Sequence, residues 1–165
     1  MNLRKALGAL AVVGLIGAGA NAAVAQNMSL SNQNVHNVAA SIGTAITSLE
    51  KDQRDFDGHR VRGIEHLRGA YRQLRLSVGW ARNHGYGYYD GIPPAPPAYN
   101  GPLYGQGTSD QEIVDVTRAI PGWIAQLQGD ARDYGGHRIT AMNQLQAAEN
   151  ELNLAIQYFR AHNGY

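Results

Sequence analysis

Two aspartates, two histidines and four arginines recur in this chain inside one repeated phrase. Residues 54–60 read RDFDGHR, and residues 132–138, seventy-eight positions later, read RDYGGHR. Carboxylate oxygens and neutral imidazole nitrogens are ligands for borderline cations. Asp55, His59, Asp133 and His137 therefore offer a four-ligand set for zinc or copper if the fold brings the phrases together. Arg60 and Arg138 carry forked N–H donors that would hold an anion at the same place. The same letters also suit a turn. Gly58 and Gly136 accept the positive φ that ends a helix or makes a tight turn. Asp55 and Asp133 can cap a helix start or pair with an arginine. Phe56 and Tyr134 can plug the end of a bundle.

Few other residues have the spacing of a reactive site. There is no cysteine, which excludes thiol catalysis and thiolate metal sites. No nucleophile elbow, P-loop, dinucleotide fingerprint, HExxH or paired ExxH motif is present, so the chain reads as non-enzymatic, with no catalytic residues. His84 and His162 recur behind Arg82 and Arg160, where cations suit the last turn of a helix; with His36 they would make a three-histidine set at one end. His66 has no counterpart and is expected in solvent. Glu149 falls on an apolar face between Leu145 and Leu152, and its counterpart Tyr71 is the expected hydrogen-bond partner. Leu76 with Trp80, and Leu154 with Tyr158, are i, i+4 apolar pairs facing away from the core. They mark an interface for the linker, for a ligand, or for a second copy of the chain in a homodimer.

The elements that must position these residues follow from a duplication. Residues 38–84 align with 116–162 without a gap, identical at 16 of 47 positions. Val35, Val38, Ile42, Ile46 and Leu49 make one helical stripe, and Ile113, Val116, Ile120, Ile124 and Leu127 repeat it. Ser109 and Glu112 fit a capping box at the start of that second stripe. Pro121 is expected to kink or split the helix, and Gly43 holds the equivalent place. Ile64, Leu67, Tyr71, Leu74 and Val78 form a face over 60–84, and Met142, Leu145, Leu152, Ile156 and Phe159 do so over 138–162. Two hairpins with four apolar stripes predict an all-α four-helix bundle. An up-down-up-down order would put both turns at one end, face to face. Between the hairpins, residues 85–107 are rich in Gly, Pro and Tyr, which forbids helix and favours extended geometry.

The first 25 residues read as a signal peptide. Arg4 and Lys5 precede an apolar run from Ala6 to Ala20, and Ala23-Val24-Ala25 fits a cleavage site, with Ala22 a second one. The organisation expected is a leader over 1–25 and one helical domain over 26–165, made of hairpins 26–84 and 108–165 around the linker. The periplasm or the medium is the expected location, with no membrane span in the mature chain. The precursor carries 14 basic and 13 acidic residues; without Arg4 and Lys5 the balance is 12 to 13, a net charge of −1. That balance argues against nucleic acid as a partner. The charge is uneven, +3 over 26–85 and −3 over 106–165, so the halves attract each other within or between molecules.

The duplicated D-[F/Y]-x-G-H-R turn behind a signal peptide resembles small exported bacterial proteins of unknown function that carry one or two such helical hairpins. The resemblance covers 38–84 and 116–162 and implies an exported helical bundle, with no activity attached. Two readings remain open. One is an exported bundle acting by binding or assembly, with no cofactor. The other is a periplasmic zinc- or copper-binding protein using the turn aspartates and histidines.

Overall fold

The computed structural model describes residues 16–86 and 91–163, with side chains described over 31–86, 91–105 and 110–162. Four helices carry the fold: α1 (Ile16–Glu50), α2 (His59–Asn83), α3 (Gln106–Gln128) and α4 (His137–Asn163). They form the expected four-helix bundle. Val35, Val38, Ile42, Ile46 and Leu49 are all buried, as are Ile113, Val116, Ile120 and Leu127. One core runs through both hairpins and includes Leu67, Leu74, Leu145 and Leu152.

The order of the helices around the core differs from up-down-up-down. α2 packs chiefly on α4, α1 packs on α2 and α3, and α3 packs on α4. His59 lies against Glu151, His66 against Gln144 and Gln73 against His137, so α2 and α4 run antiparallel. α1 and α4 therefore point one way and α2 and α3 the other, with one long crossover between the hairpins. The two repeated turns lie at opposite ends of the molecule. The pairings also expose a pseudo-twofold axis. Shifting by seventy-eight positions turns His59–Glu151 into His137–Gln73, and His66 with Gln144 sits on the axis. Glycine sets the closeness of this central pair: a Cβ at Gly63 would lie 2.7 Å from Leu152 Cδ2, and one at Gly69 would lie 2.8 Å from Gln144 Oε1.

The crossover is seated along α1 and α2. Pro96 lies over Gly43: a Cβ there would stand 3.4 Å from the Tyr71 ring and 3.6 Å from Pro96, in ordinary contact with both. Tyr71 donates its hydroxyl to Pro93 O at 3.1 Å, Arg68 donates to Pro96 O at 2.7 Å, and Arg75 Nε donates to Ile92 O at 3.1 Å. Arg68 also pairs with Glu50 at 2.6 Å, and Glu50 accepts the Tyr99 N–H. Prolines lack N–H groups, so the helix side chains donate to the free carbonyls. This corrects the expected Tyr71–Glu149 bond: the linker takes the Tyr71 hydroxyl, and Glu149, half-buried at the edge, accepts from Gln146 at 2.8 Å.

α3 differs from expectation at its start and at its proline. Tyr104 N–H donates to Lys51 O at 2.7 Å, which anchors the crossover, and α3 begins directly after Gly105. Ser109 is thus inside the helix rather than capping it, and its side chain lies outside the described residues. α3 also runs unbroken through Pro121, which is exposed.

Candidate functional site

Each repeated phrase folds into the same left-handed turn. Phe56, Asp57 and Gly58 have φ of 52°, 57° and 80°; Tyr134, Gly135 and Gly136 have 54°, 66° and 87°. Three successive positive φ values are costly for side-chain-bearing residues, by about 1–2 kcal/mol each in the general case. The hydrogen bonds that hold the turn are duplicated atom for atom. His59 N–H donates to Phe56 O and His137 N–H to Tyr134 O; Arg60 N–H donates to Asp55 O and Arg138 N–H to Asp133 O.

The arginines of the phrase close the turn from the side. Arg60 donates to Leu49 O at 2.8 Å and to Arg54 O at 2.5 Å. Arg138 donates to Leu127 O at 2.7 Å, the equivalent carbonyl at the end of α3. Helix C-termini leave such carbonyls without intrahelical partners, and a guanidinium satisfies them with charge-assisted bonds. Three of the donors assigned to an anion are thus spent on the backbone, while Arg138 Nε is buried with no hydrogen-bond partner among the described residues.

The aromatic letters are end plugs. Tyr134 is 1% exposed, donates its hydroxyl to Asn32 Oδ1 at 2.7 Å, and meets Trp80 edge-on. Phe56 is buried and meets Phe159 edge-on. Both aspartates, Asp55 and Asp133, are exposed.

The four proposed metal ligands do not converge. His137 touches Gln73, fourteen residues along α2 from His59, which is about 21 Å at 1.5 Å per residue. Each histidine instead ties its own turn to the opposite hairpin. His137 Nδ1 lies 2.8 Å from Gln73 Oε1. His59 Nδ1 lies 2.8 Å from Glu151 Oε2, which Arg62 also approaches at 2.9 Å. The hydrogen bond from His59, then that from Arg62, holds the Glu151 carboxyl below the usual carboxylate range. Among the described residues, no group of three or more His, Asp or Glu is arranged to hold a metal. No family model, curated protein or solved structure matches the chain.

His84 and His162 also sit at opposite ends, so with His36 they form no three-histidine set. Each places Nδ1 2.8 Å from the carbonyl four residues back, Trp80 O and Tyr158 O, and stacks on that residue's ring at 4.0 Å. His66, expected in solvent, is half-buried against Gln144 on the pseudo-twofold axis.

Two buried carboxylates lie just before the phrase, at positions that no helical stripe marks. Asp52 is 2% exposed and Asp130 6%. Asp52 Oδ1 accepts the Arg54 N–H at 2.9 Å, and Asp130 Oδ1 accepts from Asn34 at 2.9 Å. Burial pushes the Asp130 pKa up, and the hydrogen bond from Asn34 opposes it. Asp52 and Asp130 are identical between the copies two residues before Arg54 and Arg132, and that identity was the available signal. The repeated unit is D-x-R-D-[F/Y]-x-G-H-R.

On the surface, Leu76, Leu154 and Tyr158 are exposed as expected. Trp80 is not part of that stripe. It is half-buried, stacks on His84 at 4.0 Å and on Tyr86 at 5.6 Å, and lies where a Cβ on Gly135 would come within 2.7 Å of its Nε1. The second turn recruits it as a lid on Tyr134. Beside Leu76, the outer face of α2 carries Arg72, Arg75 and Arg82, all exposed. In the sequence these arginines show only as part of the +3 charge over 26–85.

Proposed function

We propose that this chain is an exported, non-enzymatic helical bundle that acts by binding or assembly through the outer faces of α2 and α4. One observation carries the reading. Large exposed apolar side chains recur in pairs one repeat apart, Val61 with Ile139 and Leu76 with Leu154, each more than 40% exposed. The core excludes them and the turns do not use them. Apolar side chains kept at the same exposed positions in both hairpins are suited to covering by a partner. By contrast, His59, Arg60, His137 and Arg138 of the repeated turn each make a hydrogen bond within the fold. Export is supported by the basic start, the apolar run and Ala23-Val24-Ala25. No helix among the described residues is long and apolar enough to cross a membrane.

The test is sedimentation velocity of the chain beginning at Gln26, across a wide concentration range, beside the variant Ile139→Glu with Leu154→Glu. The expected result is self-association of the wild type and a monomeric variant with unchanged helix content. A wild type that is monomeric throughout, with the same profile as the variant, removes assembly from the reading.

A further inference from the structure

α2 is unusually basic on the side facing the crossover. Arg72, Arg75 and Arg82 line a groove with Leu76, Gly79 and Ile92. None of the ion pairs among the described residues involves these three arginines. Among the described residues only one of their donors is engaged: Arg75 Nε holds Ile92 O, which fixes that side chain against the groove wall. Gly79 is the floor, and a Cβ built there would meet nothing within 4 Å. Arg75 and Arg82 lie about 6 Å and about 4.5 Å from it along the helix axis, within reach of one centre above it. Leu76, 49% exposed, stands beside that centre.

The duplication supplies an internal control. The equivalents of Arg72, Arg75 and Gly79 in α4 are Asn150, Asn153 and Gln157, and α4 forms the same helix in the same bundle. The arginine pair and the bare floor are therefore not required by the hairpin. The Arg75–Ile92 bond accounts for one of them; among the described residues Arg72 and Gly79 have no such bond.

We propose that this groove binds an anionic amphiphile: a phosphate or sulfate head over Gly79, with its apolar part on Leu76. Guanidinium forks match the oxygens of such a head, and adjacent uncompensated cations favour an anion over a neutral group. The proposal rests on the reading that the bundle works by binding.

Isothermal titration calorimetry of the chain from Gln26 with hexyl phosphate tests it, beside inorganic phosphate and hexyl glucoside. Saturable binding of hexyl phosphate is expected, at least about tenfold tighter than either control. Arg72→Gln with Arg82→Gln should weaken it by about tenfold or more, since removing a single charge-assisted hydrogen bond has an effect of that order. Gly79→Gln writes the residue of α4 into α2, favours helix, and should abolish binding by filling the floor. Arg118→Gln, an exposed change on α3, should leave the affinity unchanged. No saturable binding, equal affinity for a control, or full affinity in both groove variants would overturn the proposal. Sedimentation of the same variants separates this outcome from the assembly test, because neither Arg72, Gly79 nor Arg82 belongs to the paired apolar positions.

Discussion

Replacing Arg60 by Met keeps most of the side-chain stem and removes the guanidinium. If the repeated phrase is a structural clamp, this should be among the more damaging changes available at a half-buried position. Arg60 donates to two main-chain carbonyls, at 2.8 Å to Leu49 and at 2.5 Å to Arg54. A hydrogen bond to a charged group contributes about 1.5–3 kcal/mol, and partial exposure favours the low end. Leu49 O keeps a longer bond from Asp52 N–H at 3.2 Å, so that carbonyl is not wholly abandoned. A destabilisation of about 2–4 kcal/mol follows. Arg138→Met removes one such bond, to Leu127 O, and should cost about 1–2 kcal/mol. Urea denaturation followed by circular dichroism reads both. With a slope of about 1–3 kcal/mol per molar, the Arg60 variant should fall by about 1 M or more in midpoint. Because the turns lie at opposite ends, the double variant should equal the sum of the singles within about 0.5 kcal/mol. Unchanged midpoints would refute the clamp and return these arginines to the pool of free anion donors. A strong departure from additivity would refute the separation of the turns.

Gly135→Ala should destabilise by about 2 kcal/mol or more, because it combines a left-handed φ of 66° with a Cβ 2.7 Å from Trp80 Nε1; a shift in Trp fluorescence should accompany the change, and a neutral substitution would show that the second turn does not seat against Trp80. Glu151 has a folded-state pKa below its unfolded value, so its contribution is fully present above about pH 4.3 and fades as pH falls through the folded value. Denaturation midpoints between about pH 7 and 3 should therefore fall less steeply in Glu151→Gln than in the wild type, and parallel curves would contradict the His59–Arg62–Glu151 contact.

The parts of the fold written in local periodicity were legible. The stripe Val35–Leu49 and its repeat from Ile113 define buried helix faces without any tertiary knowledge, and the glycines of the phrase define the turns. What was not legible was how the hairpins face each other. A short turn forces its two helices antiparallel, but residues between 85 and 105 are long enough to connect either end of the bundle. At about 3.1 Å per residue, fifteen extended residues span the roughly 37 Å of a 25-residue helix. A linker of that length is wasted on an up-down-up-down bundle, and this was the clue to the crossover. The same ambiguity misplaced the site residues. Asp55, His59, Asp133 and His137 were grouped because the turns were drawn at one end. Trp80 was drawn outward because its partners, Tyr134 and Gly135, come from the other hairpin. The groove for the crossover was hidden for a related reason: Gly43, Glu50, Arg68, Tyr71 and Arg75 read only as places where the copies disagree, and the disagreement has meaning once Pro93 and Pro96 lie across them.

The central claim is that the two copies of the phrase are structural turns at opposite ends of the bundle. The chain has no cysteine, so Asp55→Cys with Asp133→Cys creates two unique and exposed labelling sites. Electron–electron double resonance between nitroxides at these positions measures their separation directly. His59 and His137 lie about 21 Å apart along α2 and each aspartate sits four residues further out, so turns at opposite ends predict a distance distribution centred on the order of 30 Å, while turns side by side on neighbouring or diagonal helices predict about 10–20 Å. A distribution in the shorter range would contradict the fold described here and restore a shared site for His59 and His137.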